Sequence, residues 1–366
     1  MWRNNMEEKT AEYQPSSRPL PVSHDALSTI EHLRSAWISA CLAFDESSAE
    51  QTVTQALALT PPEVVCTELF QKGLAEIGSG WYNGKVSIQQ EHFASALAVR
   101  RLNALLSAAP PPTRSTRLLA ACPPGEAHDL ALLMLTFILR WRGWDVIYLG
   151  ANVPLVHLGD TLKSAAPGMV ISVAQTLPGA AALRELAEFL NASEIQLAYG
   201  GGIFNQIPAL TGRIPGHFLG HELNSVPQVV ENLIIHQPSH PTPEPISPLY
   251  EKTLRTFKEK QALITISVSQ ELLKGEIHHR HIDEANHHFT RAITSALALG
   301  DIRFLDESVG WLNGLMENYG LAQAQSSQYY TAYHQAVAAH LGDQAGIILE
   351  WLAGVHRFTE TGTSHV

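Results

Sequence analysis

The chemistry of this sequence concentrates in a few short segments. In Gly125-Glu126-Ala127-His128-Asp129 an imidazole stands between two carboxylates. A neutral imidazole ligates a metal through one ring nitrogen, and a carboxylate accepting from the other fixes the tautomer and raises the ligand's basicity. Either Glu126 or Asp129 can be that acceptor. Upstream, Trp81 is followed by Glu91-His92. An indole is large and flat and suits a stacked group, with the Glu-His pair as polar lining beside it. Downstream, Ser172 and Thr176 offer hydroxyls to a base or a phosphate. Gly200-Gly201-Gly202 offers backbone without side chains, along which a narrow group can lie.

Two kinds of structure must hold these segments. Stretches 25–44, 47–59, 62–77 and 88–108 repeat apolar residues at helical spacing. Pro61-Pro62 puts a proline where a helix starts, Gly78-Ser79-Gly80 ends one, and Ser87 with Gln90 forms a capping box. Short connections between four amphipathic helices predict a small bundle over 23–109. Pro110-Pro111-Pro112 then makes a stiff hinge. Beyond it, β-rich runs at 117–122, 145–149, 169–174, 195–199 and 217–219 alternate with helical runs at 127–141, 155–165, 180–190 and 205–210. That alternation predicts a parallel, doubly wound sheet over 114–236. Ligands of such sheets sit at the carboxyl ends of the strands, here 123–128, 150–153, 172–176 and 200–204. The prolines of 237–248 mark a linker, and 249–358 reads as wholly helical, with helices at 249–274, 283–299, 302–319, 322–340 and 344–358.

Bulk composition narrows the class. A hydrophobic content of 45% suits ordinary packed cores. No uninterrupted apolar run reaches the roughly 20 residues of a membrane helix, and the polar, acidic start is unlike a signal peptide. No membrane partner is expected, and the expected location is cytoplasmic. Residues 1–22 are rich in Pro, Ser and charge, are expected to be disordered, and are too few for a helix-turn-helix module. A net charge of −11 speaks against direct nucleic-acid binding, which leans on clustered Lys and Arg. Cys41, Cys66 and Cys122 lie in apolar stretches without a CxxC pair and read as small buried hydrophobes.

Residues 114–236 resemble the Rossmann-type cobalamin-binding domain shared by methionine synthase, corrinoid methyltransferases and mutases. The shared pattern is D-x-H-x-x-G, then S-x-L or similar, then G-G. This chain has Glu126-x-His128-x-x-Ala131, then Ser172-Val173-Ala174, then Gly201-Gly202. Glutamate for aspartate keeps an acceptor with longer reach, and Ala131 for glycine asks for more room under the corrin. The resemblance implies that His128 ligates cobalt from below and that Ser172, Thr176 and Gly200–Gly202 receive the displaced nucleotide tail. Trp81 with Glu91-His92 ahead of that domain resembles the helical cap of the light-sensing adenosylcobalamin repressors. There the tryptophan lies over the adenosyl group and the Glu-His pair lines its pocket. The fold class is then multidomain α and α/β: a four-helix-bundle cap, a Rossmann-like doubly wound parallel sheet, and a C-terminal all-helical domain. The repressors' DNA-binding module has no counterpart in residues 1–22. Their histidine after the tryptophan is Tyr82 here, so His92 is the nearest substitute ligand for the upper face of cobalt.

In the C-terminal domain, Glu276-x-x-His279 and Glu284-x-x-His287 each mimic half of a di-iron site, but they sit in one continuous segment, and a solvated polar turn is the plainer reading. A capped cobalamin sensor with an extra helical domain and no DNA-binding module resembles the photocobilins, which pair cobalamin with biliverdin. Trp311, Tyr319, Tyr329, Tyr330, Tyr333 and the histidines would suit a linear tetrapyrrole. No cysteine follows Cys122, so any bilin would be held noncovalently. The expectation is a sensor without catalytic residues, in which light releases the adenosyl group and shifts a homo-oligomer interface or a downstream signalling partner. The alternative is a corrinoid methyl carrier of a methyltransferase system.

Overall fold

The computed structural model describes residues 24–274, 279–306, 310 and 323–361. The expected disordered tail, Glu276, Trp311 and Tyr319 lie outside these residues. The first unit contains α1 (His24–Leu42) and α2 (Glu46–Leu59). The next helix runs from Pro62–Val64 through a π-helical stretch, Val65–Gln71, into Lys72–Tyr82, together α3, and is followed by α4 (Ile88–Ser107). Asp45 caps α2 by accepting from Ser48 N at 3.0 Å. Ser87 and Gln90 form the capping box of α4, with bonds of 2.9 and 3.2 Å. One expectation fails here: Gly78-Ser79-Gly80 does not end α3, which continues to Tyr82. The chain reverses at Asn83-Gly84 instead, where Gly84 has φ +67° and Lys85 N bonds to the Gly80 carbonyl at 2.8 Å. Gly80 serves that reversal by close approach, since a Cβ there would lie 2.6 Å from Val86 Cγ2. Trp81 therefore sits in the last turn of α3, beside the start of α4.

The second unit is a sheet of β1 (Arg117–Ala121), β2 (Asp145–Gly150), β3 (Met169–Val173), β4 (Leu197–Gly200) and β5 (His217–Phe218). Its strand order is β2-β1-β3-β4-β5 and all four pairings are parallel. Between the strands run α5 (Leu130–Trp141), α6 (Leu158–Ala165), α7 (Leu177–Ala192), the short α8 (Gly202–Gln206) and a 3-10 turn, Pro208–Arg213, and α9 (Val226–His236) follows β5. The doubly wound sheet predicted from alternation is thus present, and its order reverses between β1 and β3. Ligand crevices of such sheets open at that reversal.

Helix α5 explains how the two units join. Its residues Leu132 through Leu139 are all buried, and a helix apolar on every side must be covered on every side. Leu132, Leu135 and Leu139 pack into the core of the sheet. Leu133, Met134, Phe137 and Ile138 pack instead with Trp37, Phe70, Leu97 and Leu102 of the bundle. A bidentate Arg142–Glu63 ion pair, 2.7 and 2.9 Å, ties the end of α5 to the start of α3. The bundle is anchored on the sheet unit by a shared apolar face.

After the linker come α10 (Pro248–Leu272), α11 (His279–Leu299), α12 (Gln323–Leu341) and α13 (Gly346–Thr361). Helix α11 starts before the expected position 283, and the expected helix at 302–319 is described only as a 3-10 turn, Ile302–Leu305. Tyr329, Tyr330 and Tyr333 correct a further expectation. All three are at most 2% exposed and pack edge-on around Phe289 at 4.7–5.8 Å, so they form core rather than line a chromophore pocket. Tyr329 donates to Asn286 Oδ1 at 3.0 Å, which satisfies its buried hydroxyl. The described residues hold no group of three or more His, Cys, Asp or Glu able to bind a metal ion, and no helix among them is long and apolar enough to cross a membrane.

The linker is pinned to the sheet edge. Gln196 accepts from His217 Nε2 at 2.6 Å and donates to the Pro238 carbonyl at 3.0 Å, while Asn191 pairs with His240 and donates to the Pro215 carbonyl at 3.0 Å. Burial, with the nearby His240 adding to it, lowers the pKa of His217. A histidine depressed in the folded state binds fewer protons there than when unfolded. Its stability contribution is therefore complete above about pH 6.5, the unfolded value, and is lost as pH falls through the lower folded value. Thermal melts at descending pH should show His217→Gln losing less stability on acidification than the natural chain. Parallel losses in both would refute the assignment.

Candidate functional site

Glu126, His128 and Thr176 come together in the loops that follow β1 and β3. Glu126 is 1% exposed, and His128 beside it keeps 66% of its side chain exposed. Glu126 Oε1 accepts from His128 Nδ1 at 2.6 Å and from the His128 backbone N–H at 3.0 Å. Its Oε2 accepts from Gln175 N at 2.9 Å, Thr176 N at 3.3 Å and the Thr176 hydroxyl at 3.1 Å. Burial pushes this carboxyl up, but the bonds from His128 and Gln175 outweigh it and hold the pKa below the usual range. A carboxylate only accepts, so in the neutral imidazole Nδ1 carries the proton and Nε2 keeps a free lone pair. The same bond to Glu126 raises the pKa of His128 against the opposing effect of burial. Charges on Glu126, on Glu91 of the cap and on Asp129 add to the rise, which places Glu91 within electrostatic reach of the imidazole.

The sequence left the acceptor open between Glu126 and Asp129. Glu126 takes the role, because Asp129 Oδ2 accepts from the Tyr148 hydroxyl at 2.7 Å. Helix α5 begins at Leu130 rather than at 127, since the Glu126 carboxylate captures the His128 N–H and holds 126–129 as a loop. The imidazole consequently projects from a loop, ahead of the helix. Thr176 also departs from expectation. Its hydroxyl donates to Glu126 and accepts from Gly179 N at 3.1 Å, capping α7, and so is engaged within the protein. Gly179 is needed for that arrangement, as a Cβ there would overlap Glu126 Oε2.

Ser172 behaves differently. It is fully buried in β3 and its Oγ has no hydrogen-bond partner among the described residues. A buried hydroxyl left unpaired is costly, which marks the spot as one for an outside polar group. The glycine triplet divides. A Cβ on Gly200 would meet nothing within 4 Å, so this position borders open space. Gly201 instead has φ +123° with the Ala174 carbonyl packed against its Cα, and Gly202 N donates to Gln175 Oε1 at 2.9 Å. Only Gly200 serves as bare wall; its two neighbours are glycines for internal fit.

On the cap side Trp81 is half-buried against the bundle core. Glu91 accepts from Ser95 Oγ at 2.7 Å and pairs with His92 Nδ1 at 2.6 Å, and the His92 side chain is 71% exposed. Tyr82, in the place of the expected histidine, donates to the Gly310 carbonyl at 3.2 Å. The sequence reading missed Gln175 and Asn152, both hydrogen-bonded to the His128 loop or its neighbours. Asn152 could have been noticed as a turn-tolerant residue just past a strand. Gln175 carried no such signal. Cys122, just after β1, is fully buried and has its thiol pushed up to about 12 by burial and the nearby carboxylates.

Residues 33–106 match the family model of the B12 binding domain. The match covers the helical bundle, the unit that carries Trp81 and Glu91. Among curated proteins, the HTH-type transcriptional repressor CarH of Myxococcus xanthus is 32% identical over 149 residues, 41% of this chain and 50% of that one. The repressor CarA of the same organism is 30% identical over 140 residues, 38% and 47% of the two chains. The methanol–corrinoid protein of Methanosarcina barkeri (strain Fusaro / DSM 804) is 27% identical over 130 residues, 35% and 49%. The chain spans about half the length of these relatives. Together the matches support a cobalamin-binding protein related to the two repressors.

The geometry fits that group on independent grounds. It offers an imidazole with a free Nε2, an orphaned buried hydroxyl at Ser172 and an open wall at Gly200, all at the carboxyl ends of adjoining strands.

Proposed function

We propose that the chain is a light sensor, without enzymatic activity, that holds adenosylcobalamin between the helical cap and the strand ends. The observation that carries this reading is His128, oriented through Nδ1 by buried Glu126 with Nε2 left available to a metal. His128 would hold cobalt, Ser172 and the Gly200 wall would receive the nucleotide tail, and Trp81 with Glu91 and His92 would cover the adenosyl group. Bound adenosylcobalamin supplies a cobalt–carbon bond that green light cleaves.

The chain's residues do the rest. Glu126 keeps the imidazole in one tautomer, and Trp81 adds apolar cover that is lost to the cap when the adenosyl group departs. Losing those contacts shifts the population of cap positions across the apolar face of α5, and the readout is a changed contact with a second copy or a signalling partner. Biliverdin as a second chromophore rests on domain order alone. Red absorbance that appears only with protein present checks it, and its absence leaves the C-terminal unit as a protein contact.

The deciding experiment is an absorption spectrum and a gel-filtration profile of the full chain, loaded with adenosylcobalamin in darkness and measured before and after green light. A bleached spectrum with a changed elution volume supports sensing. A light-stable complex, or bound methylcobalamin consumed by a thiol, supports the methyl carrier that the similarity to the methanol–corrinoid protein favours.

The cap's role has its own test. Removing an indole stacked on a planar group costs about 1 kcal/mol, so Trp81→Ala should weaken adenosylcobalamin several-fold and leave hydroxocobalamin nearly unchanged. Equal weakening of both in parallel titrations would show that Trp81 only packs the bundle.

A further inference from the structure

We infer that Asn152 is a positioning residue for the candidate metal ligand, clamping the Gly125–His128 loop to the end of β2 from outside the motif. The inference rests on the reading of His128 as the cobalt ligand. Strand β2 ends irregularly: Ala120 pairs with Tyr148 and Ala121 with Gly150, so Leu149 is the extra residue of a bulge. Gly150 follows with φ +80° and Asn152 with φ +50°. A left-handed backbone is disfavoured for most side chains and tolerated by Asn, Asp and Gly. The bend brings this segment alongside the β1 loop. Cys122 N bonds to the Gly150 carbonyl at 2.9 Å, and Val153 N to the Cys122 carbonyl at 3.1 Å.

Asn152 then grips the loop twice. Its backbone N–H donates to the Glu126 carbonyl at 2.8 Å, and its Oδ1 accepts from Gly125 N at 2.7 Å. Gly125 is itself left-handed, φ +78°, at the third position of a Pro123–Glu126 turn that Glu126 N closes onto the Pro123 carbonyl at 3.1 Å. Glu126, one residue on, turns inward to its five bonds, and His128, two further on, turns outward. Any displacement of that turn relative to β2 would swing both. The carboxamide of Asn152 ties the turn to the end of β2 and so sets where the imidazole stands before any ligand arrives.

Two substitutions separate the side chain from the backbone. Asn152→Gly keeps access to the left-handed conformation and removes the acceptor, while Asn152→Asp keeps both. In the full chain without cofactor, the Gly125 amide should exchange with solvent roughly fivefold faster or more in Asn152→Gly and near the natural rate in Asn152→Asp. After hydroxocobalamin is added, the fraction with an imidazole-ligated spectrum should fall in Asn152→Gly, with about tenfold weaker binding, and recover in Asn152→Asp. Natural exchange and a natural ligated fraction in Asn152→Gly would overturn the inference, as would failure of Asn152→Asp to rescue. If the natural chain itself shows no imidazole-ligated spectrum, the proposed function fails, and the exchange rates alone decide whether Asn152 clamps the loop.

Discussion

His128→Ala is expected to lower cobalamin affinity by about 100-fold or more, because even residues that merely orient a metal ligand are worth 10- to 100-fold. At about 1.4 kcal/mol per decade that is roughly 3 kcal/mol of binding free energy. The fold should lose less. The side chain is 66% exposed, but its bond to buried Glu126 is removed, which should cost about 1–2 kcal/mol. Titration with hydroxocobalamin, followed by absorbance, reads both the affinity and the coordination. The imidazole-ligated spectrum should vanish while the unloaded chain stays folded, with only a modestly lower thermal midpoint. An unchanged spectrum would mean that cobalt takes its lower ligand elsewhere, and the sensory reading would fall with it.

Glu126→Gln should damage both binding and folding. Each carboxylate oxygen accepts from backbone or side-chain donors at 2.6–3.3 Å, in a site that is 1% exposed. A carboxamide presents one acceptor oxygen and one donor group. It must therefore turn an N–H toward either the His128 pair or the Gln175–Thr176 pair, leaving donors facing donors. An unsatisfied buried group costs about 1–3 kcal/mol, so stability should fall by about 2–4 kcal/mol in denaturant titrations. Cobalamin binding should weaken by about 10- to 100-fold, since the imidazole loses both its fixed tautomer and part of its basicity. A variant with natural stability would show that the five bonds are worth little here. One with natural affinity would show that His128 needs no carboxylate behind it.

The two variants fail differently for a structural reason. Within the protein the His128 side chain bonds only to Glu126, whereas Glu126 ties three strand-end segments together: its own loop, the Gln175–Thr176 turn and, through the loop, Asn152. A single buried carboxylate both orders the site and supports the fold. Binding and stability are then more tightly coupled at Glu126 than at His128.

Much of this organisation was legible in the chain itself. Helical spacing over the bundle, the Ser87–Gln90 capping box and the alternation of short β-rich and helical runs depend on neighbours three or four residues apart, and local periodicity reports such features directly. The pairing of an imidazole with a nearby carboxylate was visible for the same reason. The end of α3 was misplaced because Gly78-Ser79-Gly80 signals a stop, while the deciding contact, Gly80 against Val86, comes from the returning chain.

Tertiary structure alone decided the rest. Which carboxylate serves His128 depended on Tyr148, a neighbour across the sheet that occupies Asp129. Tyr329, Tyr330 and Tyr333 looked like chromophore lining by type, yet they meet around Phe289 because two helices, α11 and α12, pack there. Ser172, Thr176 and the glycines seemed equivalent offers to a nucleotide tail, but strand-end packing engages Thr176, Gly201 and Gly202 internally and leaves Ser172 and Gly200 free. Residue type and spacing determine what chemistry a segment can do. Whether a polar group is already satisfied by the rest of the protein is set by contacts between residues far apart in the chain, and only the folded arrangement contains them.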